Sequence, residues 1–329
     1  MKELLLKERL ERVEMENYQT FSRVHPLRSF SYTGTSCYVK REDELSCGIS
    51  GSKVRKYLSL IPYILKQKAD EVVVLGTSHS NHVLGISELL CEKGIDPILF
   101  LSGRKTDPLG NFLFTSLFVK EENIHWIKEG WDSLENYAKD YAEQKAQEGK
   151  KVLVIPKGGN CKEALYGLLT LTLDILRNEE ALQIAFDHIF MDAGTSLTAL
   201  SVILALSFLK KNTHVHVVQL GGDEKEFQET LDRAKAEFED FIGEKLPFLV
   251  NYTLYSPTNA KSFGSLNTQV FTTIKEIAQQ EGFLTDPIYT AKLFYEGREI
   301  LKKSLLKGNV LFIHSGGALS LSGFQASIK

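Results

Sequence analysis

One pattern constrains the fold of this chain more than any other: a short β-branched run, a turn holding glycine or serine, then an amphipathic stretch. It recurs at 71–77 (EVVVLGT), 96–103 (DPILFLSG), 151–159 (KVLVIPKGG), 188–195 (HIFMDAGT), 214–222 (HVHVVQLGG) and 309–317 (NVLFIHSGG). Helical periodicity fills the intervals, near 54–67, 82–94, 132–148, 162–178, 197–211, 224–240, 266–281 and 291–306. Near-continuous apolar strands alternating with helices are buried on both faces, as a parallel sheet demands. The fold class is therefore α/β, with open, mostly parallel sheets flanked by helices. Ligands of such sheets bind beyond the carboxyl ends of the strands, and the glycine- and serine-containing turns fall there.

The 329 residues suffice for two domains at roughly 150 residues each. With 39 basic against 42 acidic residues the net charge is −3, which leaves no surplus for general nucleic-acid binding. No apolar run reaches the roughly 18 residues of a membrane helix; the nearest, Leu197 to Leu209, is interrupted by Thr198, Ser201 and Ser207. The N-terminal stretch MKELLLKERLERVEMENY is charged throughout, so no secretory signal is expected. Cys37, Cys47, Cys91 and Cys161 are scattered without a CxxC, which suits a reducing cytoplasm better than a disulfide framework. The segment 223–244 mixes acidic and basic residues with apolar ones at helical spacing. It reads as a solvated surface helix rather than a partner-binding element.

Five places carry groups with chemistry to offer. Lys53 follows Gly48, Ser50, Gly51 and Ser52 and begins a helical stretch. A lysine at such a junction is commonly a surface cation. Small residues before it, however, let a flat ligand approach, and Arg55 and Lys56 add positive charge. A buried lysine among cations loses proton affinity, as a Schiff-base nucleophile must. The turn 76–82 (GTSHSNH) either caps a helix or holds a carboxylate on hydroxyls and backbone N–H groups. Its His79 and His82 lack a third ligand at suitable spacing, and no metal site is expected. The turn 193–198 (AGTSLT) is either a capped βα turn or a phosphate site. There is no GxxxxGK[ST], and no GxGxxG joins a strand to a helix, so neither a P-loop nor a dinucleotide site is expected. In 312–317 (FIHSGG) the paired glycine lets a ring come close, with Ser315 as a neutral hydroxyl for a ring nitrogen. Finally, Tyr289-Thr290 follows Asp286-Pro287, where a tyrosine either packs or contacts a ligand.

In order, Lys40-Arg41-Glu42-Asp43, Gly51-Ser52-Lys53-Val54-Arg55-Lys56, Ser80-Asn81-His82, the Gly194 turn, Asp286-Pro287-Ile288-Tyr289-Thr290 and His314-Ser315-Gly316-Gly317 resemble one family. It is that of the D-cysteine desulfhydrases and 1-aminocyclopropane-1-carboxylate deaminases, pyridoxal-phosphate enzymes of the tryptophan-synthase-β fold type. The resemblance runs from about His25 to the C-terminus, and KRED followed ten residues later by the lysine of KxRK is its most specific part. It implies pyridoxal 5′-phosphate as cofactor. Lys53 would form the Schiff base with it, Asn81 would bond its phenolic oxygen, Gly194, Thr195 and Ser196 would grip its phosphate, and Ser315 would face its pyridine nitrogen. Ser80 and His82 would hold the substrate carboxylate, with Ser80 also a proton-transfer group, and Tyr289 and Thr290 would contact the substrate. The resemblance further implies a large discontinuous domain, 1–53 plus 158–329, a small domain, 54–157, inserted in it, and a cytoplasmic homodimer acting on a small amino acid.

Two departures bear on chemistry. Asp192 brings a carboxylate towards the phosphate turn, and Lys157 is the cation expected to meet it. Thr290 stands where the deaminases usually carry a glutamate. That favours a D-cysteine desulfhydrase-like reaction, giving pyruvate, sulfide and ammonia, over opening of the cyclopropane ring. Another ammonia-lyase of the same fold, or a non-catalytic protein that binds pyridoxal phosphate, are the alternatives.

Overall fold

The computed structural model describes residues 1–30, 32–49, 51–261, 264–304 and 306–327. Ser50 and the Cys47 side chain lie outside the described parts. The chain opens with α1 (Lys2–Glu11), β1 (Val24–Pro26) and β2 (Thr35–Arg41). It continues through α2 (Val54–Gln67), β3 (Glu71–Gly76), α3 (Asn81–Glu92), β4 (Pro97–Ser102), α4 (Asn111–Phe118), β5 (Ile124–Ile127), α5 (Leu134–Gln147) and β6 (Val152–Ile155). Then come α6 (Lys162–Leu168), α7 (Thr170–Leu182), β7 (His188–Ala193), α8 (Leu197–Leu209), β8 (His214–Gln219) and α9 (Glu224–Ile242). The last elements are β9 (Tyr252–Tyr255), α10 (Thr268–Glu281), α11 (Thr290–Lys303) and β10 (Gly308–His314).

Two sheets result, ordered β1-β2-β10-β7-β8-β9 and β5-β4-β3-β6. Every pairing in them is parallel except β1 with β2. All four strands of the smaller sheet come from one stretch between β2 and β7, so its chain interrupts that of the larger. Side chains alternate across the larger sheet, as the period of two requires. Ile189, Met191, Val215, Val217, Leu311 and Ile313 face a core shared with α6, α7, α8 and α9. Phe190, Val218, Val310 and Phe312 face Leu293 and Phe294 of α11.

The apolar run at α8 finds its explanation in that core. Eleven of its 13 residues are buried, and a helix apolar all round is stable only when surrounded. Among the described residues no helix is long and apolar enough to cross a membrane. The charged segment after β8 folds as α9, with Phe227, Leu231, Ala234 and Phe238 turned inward.

The strands and helices that periodicity did not mark are α1, β1, β2, α4, β5 and β9. β1, β5 and β9 have three or four residues, too few to show a period. β2 carries a different disguise: it ends in Lys40 and Arg41, yet both are buried. Lys40 Nζ lies 2.5 Å from Asp174 Oδ2, so a strand interior is charged because its charge is matched.

Candidate active site

The turns at the carboxyl ends of β3, β7, β8 and β10 converge with the start of α2 on a cavity of about 670 Å³. Nine of the residues expected from the sequence line it: Lys53, Ser80, Asn81, His82, Gly194, Thr195, Ser196, Tyr289 and Ser315. Thr290 does not. Its hydroxyl accepts from Asp286 N and donates to Asp286 Oδ1, both at 2.7 Å, and the residue is wholly buried. Asp286 also accepts from the backbone N–H groups of Ile288, Tyr289 and Thr290. The pair is thus a cap that starts α11 and aims Tyr289.

Lys53 ends a single 3-10 turn, Gly51–Lys53, that runs into α2. The turn is docked on the end of β10 by a bond of 3.0 Å from Ser52 N to the Ser315 carbonyl. Gly51 has φ +52, and a Cβ there would strike that same carbonyl oxygen, so only glycine permits the approach. Burial lowers the proton affinity of the Lys53 amine, while Asp192 and Asp286 oppose the shift. Its Nζ lies 5.7 Å from the centre of the Tyr289 ring. Burial first, then Asp286 and Asp192, hold the Tyr289 phenol protonated.

Asp192 and Ser315 form the floor. The Ser315 hydroxyl donates to Asp192 Oδ1 at 2.8 Å. Burial pushes Asp192 up to about 6, against the Ser315 bond and the charge of Lys53. Lys157 does not meet it. Its ammonium, on the 3-10 turn Lys157–Gly159, pairs with Glu135 of α5 at 2.8 Å and lies over Trp131. The cation that acts on Asp192 is Lys53 itself.

The Ser80-Asn81-His82 segment caps α3 and lines the cavity at once. Ser80 Oγ accepts from His82 N and Val83 N at 3.2 and 3.3 Å. Asn111 Nδ2 donates to Asn81 Oδ1 at 2.7 Å, which leaves the Asn81 amide hydrogens for a ligand. Asn111, from α4, was invisible in the sequence because nothing local relates it to Asn81. The Tyr57 hydroxyl lies 3.0 Å from His82 Nδ1, and His82 Nε2 is buried with no protein partner. Burial, then Lys56 and Lys53, hold this imidazole neutral.

Gly194 to Ala199 form a wall at the N-terminus of α8, the end at which a helix favours an anion. Ser196 adopts φ +65 there, a conformation ordinarily left to glycine. Arg233 of α9 donates to Asn160 Oδ1 at 2.8 Å, and Asn160 Nδ2 reaches the Thr195 carbonyl at 3.4 Å. The inner face of α9 therefore belongs to the site. Of the two cations after Lys53, only Lys56 lines the cavity; Arg55 turns away to Glu42 and Asp174.

Lys56 donates to the Gly158 carbonyl at 2.8 Å. Burial, then the charge of Lys53, lowers it to about 7. Because that value lies below the ordinary 10.5, the unfolded chain binds the extra proton between them. Lys56 therefore makes the cofactor-free protein more stable as pH rises through that window. The urea midpoint should climb between about pH 7 and about pH 9 more steeply in the wild type than in Lys56→Met. Parallel slopes would contradict this.

The donor set fits a flat, phosphorylated pyridine. A buried ammonium with only a carbonyl partner, a helix N-terminus and two hydroxyls await an anion at one end. A neutral hydroxyl, an oriented amide and a proton-poor lysine surround the other. A comparison with known proteins agrees. The family described as pyridoxal-phosphate dependent enzyme matches residues 17–316. A protein of Pyrococcus horikoshii, provisionally named a 1-aminocyclopropane-1-carboxylate deaminase, is 31% identical over 86% of this chain and 85% of its own. A D-cysteine desulfhydrase of Yersinia pestis is 26% identical over 92% of both. The crystal structure of a deaminase homologue superposes with a TM-score of 0.86 at 27% identity, covering 98% of each chain. Threonine deaminase of Solanum lycopersicum, at 13% identity, shares the fold with a TM-score of 0.69 over 99% of this chain and 87% of its own. The chain belongs to the pyridoxal-phosphate dependent enzymes of fold type II, in the group that holds the 1-aminocyclopropane-1-carboxylate deaminases and D-cysteine desulfhydrases, with pyridoxal 5′-phosphate as its cofactor.

Proposed function

We propose that this protein converts a small amino acid into a 2-oxo acid and ammonia, and that D-cysteine, which also releases sulfide, is the favoured substrate. Thr290 carries the choice. It stands where the deaminases usually have a glutamate, and its hydroxyl is spent on Asp286. The turn after Tyr289 thus adds no carboxylate to the cavity-lining residues.

Pyridoxal phosphate, when bound, supplies an electron sink that acidifies the Cα–H bond of the substrate. Lys53 would hold it through Nζ. Lys56, Gly194, Thr195 and Ser196 would take its phosphate, Ser315 its pyridine nitrogen and Asn81 its phenolic oxygen. Ser80 Oγ already accepts two backbone N–H groups, so its own hydrogen is left to donate to the substrate carboxylate, beside His82. With its proton affinity lowered by burial, Lys53 Nζ accepts the Cα proton as the Cβ–S bond of D-cysteine breaks with its electron pair on sulfur; the sulfide takes up a proton as it leaves, and water hydrolyses the imine form of the freed aminoacrylate to pyruvate and ammonia. The Tyr289 hydroxyl, kept protonated, stands over the substrate as a donor. In this reading the cavity lies between a large discontinuous domain, 1–53 plus 158–329, and an inserted one, 54–157; the derivation of the smaller sheet from a single stretch of chain supports it.

The name of the Pyrococcus relative favours a second reading, deamination of 1-aminocyclopropane-1-carboxylate. A panel of D- and L-cysteine, D- and L-serine, β-chloroalanine and 1-aminocyclopropane-1-carboxylate, scored for 2-oxo acid, separates the two. D-cysteine should exceed the cyclopropane substrate by at least about tenfold in kcat/KM. The reverse order supports the second reading and overturns the first. No 2-oxo acid from any of them would leave a non-catalytic binder of the cofactor.

A further inference from the structure

His188 and His214 are the first residues of β7 and β8, whereas the cavity lies at the other end of those strands. They are register partners in the parallel ladder, and His216 follows His214 on the same face. We propose that His188, His214 and His216 form a binding site for a divalent transition metal of the Zn²⁺ class, separate from the cofactor cavity.

The three rings cluster and also stack: His214 lies on His216 with ring centres 4.3 Å apart and planes 9° apart, so His214 has to turn out of that stack to share an ion with His216. One ring nitrogen from each histidine lies within 4.8 Å of the other two. His188 Nδ1 and His216 Nε2 are 3.0 Å apart. Two of the rings are also steered from outside. His214 Nε2 meets the Thr253 hydroxyl at 2.8 Å, and His216 Nδ1 meets the Tyr255 hydroxyl at 3.0 Å. Histidines that bind metals are oriented in this way through their second nitrogen. Phe190 stacks on His216 with ring centres 4.4 Å apart and planes 8° apart, which fixes the central plane.

His216 is buried, while His188 and His214 are half-buried, so an ion has a path from solvent. With Zn–N near 2.0–2.1 Å, tetrahedral geometry sets the nitrogens about 3.3 Å apart. A ring nitrogen that starts up to 4.8 Å away therefore moves in by up to about 1.5 Å, with water as fourth ligand. None of the three lines the cofactor cavity.

The test uses the full-length, cofactor-loaded protein, stripped with a chelator and titrated with Zn²⁺ by calorimetry. The wild type should bind one Zn²⁺ per chain at this site and gain thermal stability on its addition. His188→Gln and His214→Gln, both at half-buried positions, should each bind at least about tenfold more weakly. His125→Gln, a control on β5, should match the wild type. Absence of Zn²⁺ binding to the wild type, or equal affinity in all four proteins, would overturn the proposal.

Discussion

Lys53→Ala is expected to lower turnover by at least about 10³-fold and to abolish the visible absorption of protein reconstituted with pyridoxal phosphate. On the proposed reading two functions meet at one atom, since Nζ would both anchor the cofactor and carry the Cα proton, and one substitution would remove both. Its lowered proton affinity comes from burial, opposed by Asp192 and Asp286; Lys56 shares the burial but not those carboxylate neighbours. Lys56 is the nearest candidate, but its Nζ is held by the Gly158 carbonyl at 2.8 Å in the wall that faces the phosphate turn. Lys56→Met should therefore weaken cofactor affinity while a visible band persists at high cofactor concentration. Steady-state kinetics and cofactor titration of both variants check this. A Lys53→Ala protein that kept more than about one per cent of wild-type turnover would contradict it.

Arg55→Met is expected to destabilise the protein by about 3–5 kcal/mol, although Arg55 touches nothing in the cavity. Its guanidinium bonds Glu42 at 2.5 and 2.7 Å, Asp174 at 2.9 Å and the Thr20 carbonyl at 2.7 Å. Arg55, Lys40 and Glu42 have no exposed side-chain surface, and Asp174 is 2% exposed. Without Arg55, Glu42 would be left with the Lys40 ammonium 3.9 Å away, while Asp174 would keep Lys40 at 2.5 Å and the partly exposed Arg177 at 2.9 Å. The penalty is that of an uncompensated charge in a site water cannot reach, and methionine offers no donor. Lys157→Met is the contrast. It breaks an ion pair whose partner, Glu135, is 49% exposed, and should cost less than about 1 kcal/mol. Urea unfolding of the two variants makes the comparison, and equal losses would show that the buried network carries no special weight.

That network also explains what could be read from the sequence. The six β-branched runs became strands because strands buried on both faces are written in apolar residues that need no context. The residues that line the cavity were legible for a related reason. Lys53, the Ser80-Asn81-His82 cap, the Gly194 turn and Ser315 each sit where a strand or helix ends, and the period of the chain marks those ends. Groups whose role is set by a distant partner were not legible. Asn111 orients Asn81 across 30 residues. Arg55 looked like a cation for the ligand, and Lys157 like the answer to Asp192, because sequence proximity stood in for space. Thr290 looked like a substrate contact, until the Asp286 cap closed over its hydroxyl. The histidines at 188, 214 and 216 escaped a search by ligand spacing, because strand pairing alone unites β7 and β8.

The central claim is that Lys53 is the residue that holds the cofactor. Its most direct test is to load the purified protein with pyridoxal 5′-phosphate, reduce it with borohydride, and map the peptides by mass spectrometry. The account predicts one phosphopyridoxyl group per chain, on Lys53. A stoichiometric label on Lys56 or another lysine, or none despite excess cofactor, would contradict it.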